Sequence, residues 1–171
     1  MLIERVNKMK CLVFSDSHGS PLYMKRALEK NKDAEVVFFL GDGLSDADML
    51  ARCDDRPRMW IAVRGNCDFS HIFLDREVNK TEEIAIEGKR IVLTHGDLYG
   101  AKYGTRGLCD LALSRGADIV LFGHTHTAYE EYVSEEGGFY LFNPGSIGSP
   151  SYTFGILTLS EGAVLFSHGS L

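Results

Sequence analysis

Short apolar runs that stop abruptly in polar turns set the pattern of this chain. Lys10 to Phe14 reads as a buried strand, Val36 to Leu40 is a continuous apolar run of the kind covered on both faces, and Met59 to Val63 forms a third. They end in Ser15-Asp16-Ser17-His18-Gly19, Gly41-Asp42-Gly43 and Arg64-Gly65-Asn66-Cys67-Asp68. The segments between them have helical spacing. Ser20-Pro21 offers an N-cap with proline at the first helical position, and Met24, Ala27 and Leu28 supply the i, i+3, i+4 stripe. Ser45 and Asp48 resemble a capping box that opens a helix carrying Met49 and Leu50 inward.

The middle of the chain changes character. Glu83–Ile86 and Arg90–Thr94 flank Glu87-Gly88-Lys89 as a hairpin that runs into His95-Gly96-Asp97. Leu108, Leu111 and Ala112 mark a third helix closed by Gly116, and Asp118 to Phe122 is a strand leading into Gly123-His124-Thr125-His126. From there the pattern is antiparallel: Tyr129–Val133, Phe139–Phe142, a glycine-rich stretch from Asn143 to Pro150, then Tyr152–Leu159 and Ala163–Phe166. There is no internal repeat and no linker, so residues 9–171 are expected to form one α/β domain with helices over sheet faces. The number of strands favours two stacked sheets over one. Residues 1–8, which precede the first strand at Met9, are expected to be an N-terminal extension free to be disordered.

Composition narrows the class. A chain of 171 residues, 44% hydrophobic and 25% charged, can bury a core without disulfides. Its four cysteines, Cys11, Cys53, Cys67 and Cys109, show neither a CxxC nor zinc-finger spacing. Cys11 and Cys109 lie in apolar patterns as small core residues, and the thiols are expected to be reduced in a cytoplasmic protein. Glu4 and Arg5 directly follow Met1-Leu2-Ile3, and no window approaches the roughly 18 apolar residues of a membrane span. A formal net charge of −6 argues against nucleic acid as a general partner but suits a small anionic substrate held at a local positive site.

The chemistry gathers at the strand ends: Asp16, His18, Asp42, Asn66, His95, His124 and His126. In a helix His124 and His126 would diverge by roughly 200°, whereas at the end of a strand positions i and i+2 share a face. Two carboxylates, four imidazoles and one amide oxygen are too many ligands for one tetrahedral zinc. They suit two divalent ions about 3.5–4 Å apart, one carboxylate bridging them, and in-line hydrolysis of a phosphoester by water activated between the cations. No protein nucleophile is needed, so Ser15, Ser17 and Ser146 are read as turn or hydrogen-bonding residues.

Asp16-x-His18, Gly41-Asp42, Gly65-Asn66-x-Asp68, His95-Gly96 and Gly123-His124-x-His126, in that order, resemble the motifs of the calcineurin-like metallophosphoesterase superfamily. The short length, Gly65-Asn66-Cys67-Asp68 and Asn143-Pro144-Gly145-Ser146 resemble more narrowly its YfcE-like small phosphodiesterases. The resemblance implies an α/β/β/α sandwich of two mixed sheets flanked by helices, with a dinuclear site at the sheet edge. It implies a metal-dependent phosphodiesterase, a phosphoric ester hydrolase, in which Asp42, Asn66 and His95 are catalytic. Asp16, His18 and His126 would hold one ion, Asn66, His95 and His124 the other, and Asp42 would bridge. Manganese is the expected ion, with magnesium, nickel, iron and zinc as alternatives, and dimers or tetramers are expected partners.

One position departs from a relative. In the phosphoprotein-phosphatase branch the residue after the motif asparagine is a histidine that assists the leaving group, and here it is Cys67. A thiol with a pKa near ~8.5 is a poor proton donor to an alkoxide, which leaves the role of Asp68 open and favours good leaving groups. His71 is an alternative donor read as solvent-facing, and His168 is given no role. Arg64, together with Asn66, is a candidate substrate contact, as is Asn143. Tyr99, Tyr103 and Arg106 follow the His95 motif as candidate pocket-lining residues, although the two tyrosines, aromatics beside a helix start, are read more as packing residues. Two other functions fit the same motifs: a phosphomonoesterase or nucleotidase using the same site, and a non-catalytic binding module like the retromer subunit that resembles this family.

Overall fold

Alternation along the first strand already separates two cores. In β1 (Met9–Phe14), Cys11 and Val13 point into one apolar cluster while Leu12 and Phe14 point into another. The same division repeats through the chain. After β1 come α1 (Pro21–Lys30), β2 (Val36–Phe39), α2 (Leu44–Arg52), β3 (Met59–Ala62) and a small hairpin of β4 (Ile72–Phe73) and β5 (Arg76–Glu77). Then follow β6 (Thr81–Ile86), β7 (Lys89–Thr94), α3 (Arg106–Arg115), β8 (Ile119–Leu121), β9 (Ala128–Val133), β10 (Phe139–Pro144), β11 (Thr153–Ser160) and β12 (Ala163–Ser170). This computed structural model describes residues 8–148 and 150–171, so the expected extension over residues 1–8 lies, but for Lys8, outside the described residues.

Two five-stranded mixed sheets result, ordered β12-β11-β1-β2-β3 and β6-β7-β8-β10-β9. The layer between them holds Val13, Phe38, Leu93, Leu121, Phe142 and Leu157, drawn from both sheets. Leu12, Phe14, Val37 and Phe39 on the outer face of the first sheet meet Met24, Leu28, Leu44 and Leu50 of α1 and α2. Val92, Val120 and Leu141 on the outer face of the second meet Leu108, Leu111 and Ala112 of α3. Three apolar layers between four structural ones make an α/β/β/α sandwich, with helices covering both sheets as expected.

Register decides what the sandwich presents. Parallel pairing sets Phe14 opposite Phe39 and Phe39 opposite Ala62, so the turns after β1, β2 and β3 emerge side by side. In the second sheet Leu121 lies opposite both Leu93 and Phe142, which brings out the turns after β7, β8 and β10 together. Carboxyl-end loops of parallel strands are where ligands collect in open α/β sheets.

The second helix differs from its expected form. It starts at Leu44 with Gly43 as N-cap, and Ser45 makes no capping bond. Its buried stripe is therefore Leu44, Ala47 and Leu50, and Met49, expected inward, is 48% exposed. Ser20 likewise makes no side-chain cap, although α1 begins at Pro21 as expected. Strands β4 and β5, two residues each, are too short to show alternation and have no counterpart in the pattern reading. Cys11 is fully buried, whereas Cys109 is only partly covered. No helix among the described residues is long and apolar enough to cross a membrane.

Candidate metal centre

Backbone hydrogen bonds stitch the strand-end turns into one surface. Asp16 N donates to Gly41 O and His18 N to Asp42 O, each at 3.0 Å, while Gly123 N donates to His95 O across the other sheet at 3.0 Å. Ser146 Oγ donates to Asp16 O at 2.8 Å and so joins the turn after β10 to the turn after β1. Five residues in these turns have left-handed backbones: Asp16 (φ 58°), His18 (46°), Asp42 (58°), His124 (68°) and His126 (60°). Non-glycine residues rarely adopt that region, and such strain gathers where surrounding structure forces side chains toward a site.

The side chains converge in two groups. In the first, His126 Nε2 is 3.2 Å and His18 Nε2 3.7 Å from Asp16 Oδ1, and the two imidazole nitrogens are 3.2 Å apart. In the second, His95 Nε2 is 3.2 Å from both Asp42 Oδ2 and His124 Nδ1. Asp42 Oδ2 also lies 4.0 Å from His18 Nε2, which links the groups through one carboxylate.

Hydrogen bonding to the surrounding chain orients these atoms toward one another. His95 Nδ1 is 2.8 Å from the carbonyl of Leu40, which can only accept, so Nδ1 carries the proton and Nε2 turns toward Asp42. Asp16 Oδ1 is buried and has no hydrogen-bond partner among the described residues. A buried carboxylate oxygen facing two imidazole nitrogens is costly unless a cation or proton lies among them. The donor set, carboxylate oxygens and imidazole nitrogens with no thiolate required, fits divalent metal ions. Burial opposes ionisation of Asp42, but the hydrogen bond and charge of His95 outweigh it and hold the carboxyl well below the usual carboxylate range. Burial likewise opposes protonation of His95, yet Asp42 and Asp16 raise its pKa overall. His124 moves down, through burial and then the neighbouring His95 and Lys102.

Over residues 9–162 the sequence matches the calcineurin-like phosphoesterase superfamily domain. The chain belongs to that superfamily. Probable metallophosphoesterase YsnB of Bacillus subtilis is 32% identical over 161 residues, covering 91% of this chain and 87% of YsnB. Phosphodiesterase YfcE of Escherichia coli K12 is 30% identical over 159 residues, covering 83% of this chain and 81% of YfcE. A solved structure of a predicted phosphoesterase from Streptococcus pneumoniae shares the fold, with a TM-score of 0.77 at 21% identity over 97% of this chain and 91% of that one. Family membership makes the chain a phosphoric ester hydrolase of metallophosphoesterase type.

Within this calcineurin-like frame, six of the seven expected ligands fall into the two groups. Asn66 is exposed on the loop after β3, its amide nitrogen 3.3 Å from Cys67 Sγ, and its place in a metal shell rests on the resemblance. Cys67 donates its backbone N–H to Asp42 Oδ1 at 2.7 Å, and its thiol could join His18 and Asp42 around an ion. The hydrogen bond to Asp42, then burial, push that thiol up, which makes it a weaker acid still.

Other residues play parts that the sequence left open. Asp68 accepts backbone N–H groups from Asp42 and Gly65 on Oδ2 and from Gly43 and Leu44 on Oδ1, at 2.8–2.9 Å. It thereby caps α2 from outside the helix and fixes the turn that carries Asp42. Asn143, weighed as a phosphate contact, is instead fully buried: its amide donates to Gly123 O at 2.9 Å and to Thr125 Oγ1 at 3.1 Å and so shapes the turn of His124 and His126. His168, given no role, lies 2.8 Å from Asn143 O through Nε2 and stacks on Phe142. Arg64 has a buried Nε without a hydrogen-bond partner and makes no ion pair among the described residues. His71 is exposed, as expected. Tyr99 packs against the α3 layer, but Tyr103, also expected to pack, is 97% exposed.

Close packing fixes two glycines here. A Cβ on Gly65 would collide with Asp42 Oδ1, and one on Gly123 with Ser15 Oγ. These steric needs explain the Gly-Asn and Gly-His forms of the motifs. Asp68 as a cap and the Leu40 carbonyl as a tautomer lock had no such sequence signal, apart from the position of Asp68 two residues beyond Asn66.

Proposed function

We propose that the chain is a divalent-metal-dependent phosphodiesterase with a dinuclear site, the first ion held by Asp16, His18 and His126, the second by Asn66, His95 and His124, and Asp42 shared. The position of Asp42 supports this reading above all, since one carboxylate oxygen faces ring nitrogens of both groups. Divalent ions there would supply Lewis acidity to water and to the phosphoryl oxygens. Manganese is the ion we favour, among others that the same oxygen and nitrogen donors accept.

The residues of the chain do the positioning. Leu40 O fixes the His95 tautomer, Asp68 fixes the turn of Asp42, and Asn143 fixes the turn of His124 and His126. Such outer partners orient ligands and are worth about 10–100-fold in metal affinity. Cys67 stands where the phosphoprotein-phosphatase branch has a leaving-group histidine, and a thiol is a poor proton donor to an alkoxide, so the chain suits diesters whose leaving groups need little protonation. Three carboxylates crowd the approach from the side of the α2 N-terminus, which disfavours long polyanions as substrates.

Purified protein should hydrolyse bis-p-nitrophenyl phosphate with added manganese, lose that activity in EDTA, and bind up to two ions per chain by metal analysis. Equal rates with manganese, with EDTA and in His124→Ala would refute the reading. The ratio of kcat/KM for bis-p-nitrophenyl phosphate to that for p-nitrophenyl phosphate should exceed one, and a clear preference for the monoester would convert the assignment to a phosphomonoesterase.

A further inference from the structure

A cleft of about 330 Å³ opens beside the candidate metal centre, between the turn after β1 and the loop after β3. Its walls include His18, Asp42 and Cys67 on the side of the centre and Phe69 at the rim. That volume is at the small end of ligand clefts, about 300–1,000 Å³. Larger hollows of 490 Å³ beside Trp60 and 440 Å³ beside Leu22 hold none of the seven strand-end residues.

The two carboxylates of the cleft outside the metal centre are already engaged. Asp68 is occupied by four backbone N–H groups, and Asp46 Oδ2 accepts from Ser17 Oγ at 2.6 Å and from Gly19 N at 2.8 Å. Phe69 is not engaged: it is 103% exposed, although the residue before it is pinned by those four bonds. Away from the metal centre the cleft is lined by Asp46 and Asp68 and by no lysine or arginine, so there it repels a second anionic group. A neutral, flat group is what an aromatic face accepts most favourably, through stacking.

We propose that this cleft is the subsite for an uncharged, planar aromatic substituent on the phosphoester, with Phe69 as the stacking platform that sets specificity. The inference rests on the phosphodiesterase reading and names its substrate class.

The test is competitive inhibition of manganese-dependent bis-p-nitrophenyl phosphate hydrolysis by two phosphonates that differ only in the ring. Phenylphosphonate should inhibit roughly tenfold more tightly than methylphosphonate in the unaltered chain, as expected for one stacked ring. In Phe69→Ala the ratio should fall below about twofold while the methylphosphonate constant and manganese content stay unchanged, and Phe69→Trp should keep the preference. A second pair, adenosine 5′-monophosphate against ribose 5-phosphate, identifies whether a nucleobase is the preferred ring, and preference for the ring in either pair supports the subsite. Ratios near one in both pairs, or ring preferences that survive Phe69→Ala, overturn it. Absence of manganese-dependent hydrolysis in the unaltered chain is a different result, which removes the underlying reading and the subsite with it. Because the ring is fully exposed, Phe69→Ala should unfold in urea at the same midpoint as the unaltered chain.

Discussion

Replacing Asp68 by asparagine tests how the Asp42 turn is held. The native carboxylate presents two oxygens to two pairs of backbone donors, all within 2.8–2.9 Å. In Asp68→Asn the side-chain NH2 must face one pair, so two charge-assisted bonds are lost and donors meet donors. At about 1.5 kcal/mol for each lost bond, the low end because the loop is partly exposed, the cost is about 3 kcal/mol. Loss of a negative charge at the α2 N-terminus adds a few tenths to about 1 kcal/mol. For a domain of this size 3 kcal/mol corresponds to a Tm lower by about 6–12 °C. Urea denaturation in EDTA, with the m value checked for constancy, measures the change without interference from bound metal. Manganese affinity should also drop, by about 10–100-fold, because the turn that carries Asp42 loosens. A variant within 1 kcal/mol of the unaltered chain and with undiminished metal affinity would show that the four contacts do not organise the site.

Three further outcomes follow from the same geometry. Asp42→Asn should reduce both metal content and kcat/KM on bis-p-nitrophenyl phosphate, the latter by at least about 100-fold, since the amide removes the charge facing His18 and His95; normal metal content with full activity would contradict a shared ligand. Asn143→Ala should destabilise the chain by about 2–3 kcal/mol, because its buried amide satisfies Gly123 O and Gly145 N, and urea midpoints check this. Burial, with a smaller effect of Glu35, pushes the Cys11 thiol up to about 12 from an ordinary value of 9.0. A group whose folded pKa is raised gives its full stability below the unfolded value and loses it as pH rises toward the folded one. Stability should therefore fall by about 1 kcal/mol between pH 8 and pH 10, and Cys11→Ala should flatten that part of the profile.

The amino-acid pattern alone determined all the strands but β4 and β5, the three helices, and the fact that β1, β2, β3, β7 and β8 each end in a turn with an aspartate, histidine or asparagine beside a glycine. Periodicity and turn residues are local signals, and local signals survive folding wherever one face of an element is simply apolar. They were less reliable at α2, where the helix starts one residue before Ser45, the buried stripe becomes Leu44, Ala47 and Leu50, and Met49 faces outward. That helix is capped by the carboxylate of Asp68, 24 residues from Leu44, and no local rule reaches so far.

Tertiary structure decided what the strand-end residues do together. Parallel register in two sheets brings six of the seven expected ligands within bonding range, and forced left-handed backbones at Asp16, His18, Asp42, His124 and His126 turn them inward. It also gave Asn143 to the scaffold and left Phe69 in water. An asparagine in a glycine-rich turn reads the same whether it meets substrate or backbone carbonyls, and a lone phenylalanine reads the same whether it packs inside or waits at a rim. Sequence records which groups are available; which of them meet is settled by strand register and packing between residues far apart in the chain.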